Sequence, residues 1–364
     1  MNLRIPGPTP LPPDVLASQS KQMINHRGPE FGETIARVTD ELKHFYQTQN
    51  DLFILTGSGT GAMEAAVVNT LSPGERTMVV SIGNFGDRFA EIVRKFGVDL
   101  VKVDFPPSEA VDPDEIARRL DADPAITTVI VTHNETSTGV TNPLEDIARV
   151  VKERDKLLIV DGISSVGSID LKTDAWGCDI VLSGSQKGWM APPGLAFASI
   201  SPFAWERYAK ATLPRFYWDF AAAKKYLEHG ETPWTPAVSV FYALDVSLRA
   251  MRAEGREQIF DRHARVAQRC RDGVVAKGLR LYAADPETAS NTVTAFYTPE
   301  GVDSRVIARE LENEYDTVVA IGQGATTTTT MRVGHLGWVS EADIDAVLES
   351  LGEVLNRVPA GSTG

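Results

Sequence analysis

The segment that decides the fold is Leu157-Leu158-Ile159-Val160-Asp161, followed further on by Ile180-Val181-Leu182-Ser183-Gly184-Ser185-Gln186-Lys187. Each part is a short apolar run that ends in polar residues. Apolar runs of this length are typical of strands in a parallel sheet that helices cover on both faces. Ligands bind to such sheets beyond the carboxyl ends of the strands. Asp161 and Lys187 are therefore candidate functional residues.

The same alternation of strand and helix patterns extends on both sides of this segment. Further strand candidates are residues 52–55, 77–80, 100–103, 128–131 and 195–199, with helical patterns at 61–71, 88–96 and 143–154. This order predicts an open α/β domain with a mostly parallel sheet between helices. The pattern then changes to helices at 239–253 and 257–277, strand-like segments at 292–297 and 330–333, and a last helix at 340–358. These elements predict a smaller α+β domain.

The length of 364 residues favours two domains. We expect a large domain over residues 20–245 and a small domain made of residues 1–19 and 246–364. Prolines 6, 8, 10, 12 and 13 crowd the beginning of the chain. Because proline disfavours helix at its own position and at the one before it, we expect the first twenty residues to be an extended arm without a helix.

Composition excludes several classes of protein. The formal net charge is −13, which disfavours binding to nucleic acid or to anionic membranes. No apolar run is long enough to span a bilayer, and no apolar segment follows a basic start, so we expect a cytoplasmic protein. Cys178 and Cys270 are too few for a disulfide framework or a zinc site, and we expect two reduced thiols.

A small-residue turn follows the first strand candidate of the large domain. Thr56-Gly57-Ser58-Gly59-Thr60-Gly61 opens the next helical pattern. Small residues let the backbone approach an anion, and the N–H groups of a helix start attract it. The turn is therefore a candidate phosphate site, although a purely structural tight turn fits equally well. It is not a P-loop, because the Gly-Lys-Ser/Thr ending is absent.

The two strand-end residues named first point to one cofactor. A carboxylate at Asp161 needs a cationic partner, and a protonated pyridine nitrogen is one. Alternatively, Asp161 caps the turn that contains Ser164 and Ser165. A lysine among small and hydroxyl residues at a strand end is suited to Schiff-base formation and then to proton transfer. Together they predict pyridoxal 5′-phosphate (PLP), with Lys187 as its Schiff-base lysine and Asp161 as partner of its ring nitrogen.

A polar turn follows the strand candidate at 128–131. Thr132-His133-Asn134-Glu135-Thr136-Ser137-Thr138-Gly139 is rich in side-chain donors, which suits a polar edge of the cofactor. These residue types also simply favour turns. For His133, a buried and hydrogen-bonded structural role is the preferred interpretation over direct chemistry.

With these residues in view, the sequence resembles the class V aminotransferases, especially the alanine–glyoxylate and serine–pyruvate branch, over nearly its whole length. The motifs that carry the resemblance are residues 26–31, 56–61, 133–140, 183–187 with 191–194, 232–236 and 332–335. It implies a fold type I PLP-dependent enzyme and a homodimer with shared active sites. The expected reaction moves an amino group from alanine or serine to a 2-oxo acid such as glyoxylate or pyruvate.

The resemblance also implies residue roles. The expected cofactor contacts are Ser58, Gly59, Thr60 and Gln186 at the phosphate, Thr136 at the ring oxygen, Ile163 and Phe85 on the two ring faces, and Thr235 from the neighbouring subunit. Arg332 is expected to bind the substrate carboxylate, with Gly7 also at the substrate.

Three places depart from the resemblance or stay open. Some relatives carry a tyrosine at the position of Thr232 that reaches the partner's phosphate, and threonine replaces that tyrosine here. The loop 322–330 lacks the basic residues of relatives. The aromatic stretch 217–219 is interpreted as packing first and pocket lining second.

Two other functions remain open. One is a PLP lyase of the same fold, such as a desulfurase, which needs a cysteine on a mobile loop; neither Cys178 nor Cys270 is suitably placed in the sequence. The other is a non-catalytic subunit of a larger complex. A scaffold has no physical need for a buried lysine opposite a buried aspartate, which disfavours that alternative.

Overall fold

The computed structural model describes residues 1–358. Its strands are β1 Asn2–Arg4, β2 Asp51–Gly57, β3 Arg76–Ser81, β4 Asp99–Asp104, β5 Thr128–Thr132, β6 Asn134–Glu135, β7 Val140–Thr141, β8 Leu157–Asp161, β9 Ile180–Gly184, β10 Gly194–Ile200, β11 Val293–Tyr297, β12 Thr317–Ile321 and β13 Thr330–Gly334. Its helices are α1 Pro13–Ser18, α2 Pro29–Tyr46, α3 Gly59–Thr70, α4 Asn84–Lys95, α5 Pro113–Ala122, α6 Leu144–Lys152, α7 Pro202–Tyr208, α8 Phe220–Leu227, α9 Val238–Glu254, α10 Arg256–Ala276, α11 Ser304–Tyr315 and α12 Glu341–Arg357.

Seven strands form the central sheet in the order β2-β10-β9-β8-β5-β3-β4. Strand β10 runs antiparallel to both of its neighbours, and the other pairings are parallel. All seven strands were predicted from the sequence, and the prediction of a mostly parallel α/β sheet is confirmed. The carboxyl ends of β2, β5, β8 and β9 consequently lie at one edge of the sheet.

Helices cover both faces of this sheet, and each face has its own core. On β2, Leu52 and Ile54 pack into one hydrophobic cluster, whereas Phe53 and Leu55 pack into the other. This division follows from the strand geometry, because successive side chains point to opposite faces. Every residue of β5, β8 and β9 is buried. The continuous apolar runs in the sequence reflect this burial on both sides.

A second sheet has the order β1-β12-β13-β11, with β1 parallel to β12 and the remaining pairs antiparallel. Helices α10, α11 and α12 contribute to its hydrophobic core. The sequence predicted β11, β13 and α12 but not β1 or β12. We keep the division into residues 20–245 and residues 1–19 with 246–364 as a proposal, which the pairing of β1 with β12 supports. Residues 359–364 of that small domain lie outside the described residues.

The prediction that the first twenty residues contain no helix is wrong, because α1 spans Pro13–Ser18. Proline is compatible with the first position of a helix, since the N–H that it lacks would have no intrahelical partner there. Val15 of this helix is fully buried, and α1 contacts α9. Tertiary packing thus makes a short helix out of a proline-rich segment.

Among residues 1–358, no helix combines the length and apolar character that a membrane span requires.

Candidate active site

The predicted site residues of the large domain meet at one edge of the central sheet. Asp161 is the last residue of β8 and lies opposite Thr132 of β5 and Leu182 of β9 in the strand register. Lys187 follows β9 by three residues. On the other side of β10, β2 ends at Gly57 and leads into α3. Four separate strand ends therefore contribute side chains to one place.

Asp161 and Lys187 are both buried, with exposed fractions of 3% and 8%. Desolvation raises the pKa of Asp161 to about 6, an effect that the hydrogen bond from the Ile163 N–H (2.9 Å) and the charge of Lys187 oppose. Desolvation likewise lowers the pKa of Lys187 to about 8, against the attraction of Asp161. Each group is therefore closer to its neutral form than it is in water, and an uncharged amine is the form that attacks a carbonyl carbon.

The Lys187 ammonium donates a hydrogen bond to the main-chain oxygen of Pro6 at 2.5 Å. The next residue, Gly7, has φ of +130° and lies so close that an added Cβ would stand 2.8 Å from Lys187 Nζ. Only glycine fits this combination of backbone conformation and space. Gly7, predicted at the substrate, thus lies directly against the catalytic lysine candidate.

The start of α3 forms the predicted phosphate cradle. Ser58 precedes the helix without capping it through its side chain, which leaves the first N–H groups of α3 uncapped. Gly59 is buried, whereas Ser58 and Thr60 are exposed. Gln186 lies close to the start of the helix, because both contact the same point beside Gly184. A Cβ added to Gly184 would stand 3.1 Å from Gln186 Oε1 and 3.5 Å from the Gly59 nitrogen. The structure brings these predicted phosphate residues together.

The atoms at this helix start fit a bound phosphate. The buried Oε1 of the Gln186 amide has no hydrogen-bond partner among the described residues. Because this oxygen is an acceptor, the Gln186 amide could contact an anion only through its N–H donors; the uncapped N–H groups of α3 are the donors that an anion site at a helix start offers. A Cβ at Gly59 would collide with Ile163 Cδ1, 2.5 Å away. The cofactor's phosphate and ring are therefore compatible with the residues present.

The predicted ring contacts lie around the same point. Ile163 is 7% exposed and packs on Gly59. The Thr136 hydroxyl is buried and donates to Ser164 Oγ at 2.9 Å. Phe85 is half-buried at the start of α4. Phe85, Ile163 and Thr136 are the residues that would hold the cofactor ring, two through apolar side chains and one through a hydroxyl.

Glu135 is a buried residue of the site that the sequence analysis did not single out. Its Oε2 accepts hydrogen bonds from the N–H groups of Phe85 (3.1 Å) and Gly86 (3.2 Å) at the start of α4. Its Oε1 accepts from the Ser137 hydroxyl at 2.5 Å and the Ser137 N–H at 3.0 Å. Burial raises the pKa of Glu135, and these hydrogen bonds oppose the shift. The only signal in the sequence was a single acidic residue in a turn of small polar residues.

Arg332 lies on β13 with an exposed fraction of 5%. Its guanidinium donates to two main-chain oxygens, Ile321 O (3.0 and 2.9 Å) and Thr136 O (3.2 Å). Within residues 1–358 it forms no ion pair with a carboxylate. Desolvation lowers the pKa of Arg332 to about 10, and the charge of Glu135 opposes this shift. A buried cation without a carboxylate partner is suited to binding an anionic substrate group.

The segment that contains Thr232 and Thr235 is placed differently. Thr232 is buried and donates to the Trp234 main-chain oxygen at 2.7 Å. Thr235 is exposed and makes no hydrogen bond to the site of its own chain, as far as the described residues extend. A role for Thr235 in its own subunit's site therefore has no support in the geometry.

His133, Cys178 and Cys270, which the sequence analysis also considered, are buried in the protein. His133 is buried beside Trp176, as predicted, but its Nδ1 has no hydrogen-bond partner among the described residues, so the expectation of a hydrogen-bonded ring is wrong for that atom. Desolvation lowers its pKa to about 4, so it is neutral. Cys178 and Cys270 are both buried free thiols. Desolvation raises the pKa of each thiol, that of Cys270 to about 12. Neither cysteine is an exposed thiolate of the kind that reacts readily.

The chain is similar over most of its length to several known proteins. The chain is 45% identical to the small subunit of the soluble hydrogenase of Synechococcus sp. (strain PCC 6716), over 97% of this chain and 92% of that protein. It is 38% identical to the L-aspartate–glyoxylate aminotransferase of Paracoccus denitrificans, over 93% of this chain and 87% of that protein. It is 36% identical to the serine–glyoxylate aminotransferase of Hyphomicrobium methylovorum, over 95% of this chain and 87% of that protein.

The fold is also similar to that of a solved structure. The alanine–glyoxylate aminotransferase of Nostoc sp. superposes with a TM-score of 0.93 at 29% identity, covering 97% of this chain and 94% of that one. The family model described as Aminotransferase class-V matches residues 2–347. The fold is that of fold type I PLP-dependent enzymes. The chain therefore belongs to the class V aminotransferases, which use pyridoxal phosphate as their cofactor.

Proposed function

We propose that this enzyme transfers an amino group from a small amino acid, alanine or serine, to a 2-oxo acid such as glyoxylate or pyruvate. The observation that carries the proposal is the buried set of Lys187, Asp161 and Arg332, in which the hydrogen-bond partners of Arg332 within residues 1–358 are main-chain oxygens. This set provides one site for a carbonyl compound and one for a carboxylate, which are the two groups that transamination of amino acids requires.

In this proposal each residue keeps the role predicted from the sequence. When bound, PLP supplies an electron sink for the bonds at the substrate's Cα. Asp161 would hold a proton at the ring nitrogen. Lys187 would hold the cofactor covalently until the substrate's amine takes its place, and the amine released in this way would move a proton at the substrate's Cα. Residues around the phosphate are Ser58, Gly59, Thr60 and Gln186; those around the ring are Phe85, Ile163 and Thr136.

Arg332 orients the substrate. Its planar guanidinium can bind both oxygens of a carboxylate, which fixes the direction of the Cα–H bond relative to Lys187. Gly7 and the Pro6 carbonyl lie against Lys187 and keep water from the amine. These contacts come from the N-terminal segment and from β13, so the substrate would lie between the two sheets.

The preference for a small side chain rests on the loop that precedes β13. Residues 322–330 contain one glutamine, one alanine, two glycines and five threonines but no basic residue. A second carboxylate, as in aspartate, would have no cation in that loop. The name of the Hyphomicrobium relative agrees with serine as a donor, whereas that of the Paracoccus relative makes aspartate a specific competitor. Aspartate must therefore be included in any test.

We further propose a homodimer in which Thr235 of each subunit reaches the other subunit's site. Thr235 is exposed, and an aromatic patch made of Phe216, Tyr217 and Trp234 lies beside it. Phe216 and Tyr217 are 76% and 44% exposed, and exposed apolar patches commonly mark interfaces. A partner subunit would cover these rings.

Two alternatives have less support. A desulfurase-like lyase needs an accessible cysteine, and both cysteines are buried with raised pKa values. The name of the Synechococcus relative raises the possibility of a subunit in a redox complex. A non-catalytic role would leave the burial of Lys187, Asp161 and Arg332 without a physical purpose, since burying unpaired charges destabilises a fold.

The decisive experiment is a single-turnover screen of the PLP-loaded protein with alanine, serine, aspartate and cysteine. We expect alanine or serine to change the cofactor's absorbance to that of its aminated form and to release the matching 2-oxo acid. Glyoxylate or pyruvate should then restore the original spectrum. A Lys187→Ala variant is the control and should give no turnover. Loss of the spectral change with all four amino acids would contradict the proposed function.

A further inference from the structure

The residues placed around the phosphate are all uncharged. They are Ser58, Gly59, Thr60 and Gln186 of one subunit and Thr235 of the other. A phosphate monoester carries nearly two negative charges at neutral pH. The start of α3 contributes only a partial positive charge. A cation is therefore missing from the set.

Arg88 is positioned to supply that charge. It lies on α4, one turn beyond Phe85, and its Nη1 donates to the Thr60 hydroxyl at 3.3 Å. Its guanidinium carbon also lies 4.8 Å from the centre of the Phe85 ring. One side chain thus contacts a residue of the phosphate cradle and a residue of the ring pocket. These two contacts hold the guanidinium at the start of α3.

The charge of Arg88 is available to a ligand. Arg88 forms no ion pair with any carboxylate among residues 1–358. Of its five N–H donors, one is used by Thr60. The guanidinium is close enough to the buried pair to lower the pKa of both Asp161 and Lys187, as a smaller contribution after desolvation. Arg88 is exposed, so its free donors are accessible to a ligand that enters the site.

We propose that Arg88 binds the phosphate of the cofactor and supplies the positive charge that the cradle lacks. The inference rests on the phosphate position in the proposed function. Arginine suits the task because its fork of donors matches phosphate oxygens, and contact with the Phe85 ring reduces its freedom before the ligand arrives. Arg88 would also favour PLP over pyridoxal, the same ring without the phosphate.

This difference between the two ligands provides the test. We would measure the equilibrium binding of PLP and of pyridoxal to the cofactor-free protein, for wild type and for Arg88→Gln. We expect Arg88→Gln to weaken PLP binding by about tenfold or more, the usual effect of losing a hydrogen bond to a charged group, and to leave pyridoxal binding unchanged. Arg88→Lys keeps the positive charge but lacks the planar guanidinium, so its affinity for PLP should lie between those of wild type and Arg88→Gln.

The matched control is Arg94→Gln, which removes an exposed arginine from the last turn of the same helix. It should leave the binding of both ligands as in wild type. Equal weakening of PLP and pyridoxal by Arg88→Gln would overturn the inference, because Arg88 would then act through Phe85 or the fold. A wild-type protein that binds neither ligand would overturn the proposed function itself.

Discussion

At the scale of single residues, burial determines the chemistry of Lys187. Its pKa is lowered to about 8 from an ordinary 10.5 because the side chain is desolvated. An amine attacks a carbonyl only in its uncharged form. The reactive fraction of Lys187 therefore grows as the pH rises through about 8, whereas an ordinary lysine would need a much higher pH.

The prediction concerns the rate at which PLP attaches to the cofactor-free protein. We expect this rate to rise with pH and to level off above about pH 8, measured by rapid-mixing absorbance between about pH 6 and pH 10. Replacing an exposed lysine, as in Lys172→Ala, should leave the profile unchanged. A rate that continues to rise up to pH 10 would mean that Lys187 is not the attacking amine or is not desolvated.

Arg332 gives a second prediction. Arg332→Gln removes the only guanidinium that we place at the substrate carboxylate, and charge-assisted hydrogen bonds contribute about 1.5 to 3 kcal/mol. The apparent KM for the amino acid should therefore rise by about tenfold to a hundredfold. Steady-state kinetics would measure it. Arg332→Lys should be impaired as well, because lysine lacks the two-pronged geometry.

A control for the Arg332 prediction exists in the same domain. Arg309 is exposed on α11, so Arg309→Gln changes the net charge equally without touching the site. Its KM should equal that of wild type. If Arg332→Gln also left KM unchanged, another residue would have to bind the carboxylate.

At the scale of elements, Glu135 holds the start of α4 in place. Its carboxylate accepts the first N–H groups of a helix that carries both Phe85 and Arg88. A change to alanine would leave buried donors without partners, at a cost of about 1 to 3 kcal/mol in the free energy of unfolding. Glu135→Gln keeps one acceptor oxygen and should lose less. Urea unfolding would measure both.

The matched control for Glu135 lies on the helix itself. Glu91 is exposed on α4, and Glu91→Ala should change the free energy of unfolding by less than the Glu135 variants. The Glu135 variants should also weaken PLP binding, since Phe85 and Arg88 would no longer be fixed. A Glu135→Ala protein as stable as wild type would show that water or another group satisfies those N–H groups.

Elements differ in how well the sequence predicts them. Strands β2, β5, β8 and β9 were predictable because each apolar run reflects burial on both faces of one sheet. Strand β1 was not, because it has only three residues of mixed character and its pairing partner β12 lies far away in the sequence. Helix α1 was missed because its stability comes from the burial of Val15 rather than from helix propensity.

The site divides in the same way. Asp161 and Lys187 could be singled out because Asp161 ends one strand and Lys187 follows another by three residues. Parallel strands place such residues at one edge of the sheet. The role of Glu135 could not be predicted, because its partners Phe85 and Gly86 are about fifty residues away in the chain. The same is true of the Pro6 carbonyl, 181 residues from Lys187.

At the scale of the whole molecule, the proposed dimer makes a prediction about shared sites. Thr235→Val should weaken PLP binding, and Lys187→Ala should abolish turnover. A hybrid dimer combines one Thr235→Val subunit with one Lys187→Ala subunit. If Thr235 acts on the neighbouring subunit, the site that keeps Lys187 also receives an unchanged Thr235, so the hybrid has one fully intact site. Mixed dimers carrying two different affinity tags would be purified and assayed for turnover and PLP affinity. Half of the wild-type activity, with wild-type affinity, is expected.

The opposite result is equally clear. If Thr235 serves its own subunit, the only lysine-bearing site of the hybrid also carries Thr235→Val, and its affinity for PLP stays weak. A monomeric wild-type protein in sedimentation analysis would likewise contradict the shared site. The exposed rings of Phe216 and Tyr217 would then need another explanation.

The hydrogen bond between Lys187 and Pro6 has a consequence for how the protein is handled. The same short stretch supplies β1 at the edge of the small sheet and, two residues later, the carbonyl that binds the lysine. Trimming the first eight residues, or fusing a bulky tag that displaces them, would both open the amine to water and remove an edge strand. Changes in residues 1–8 are therefore expected to act on the small sheet and on the active site at the same time.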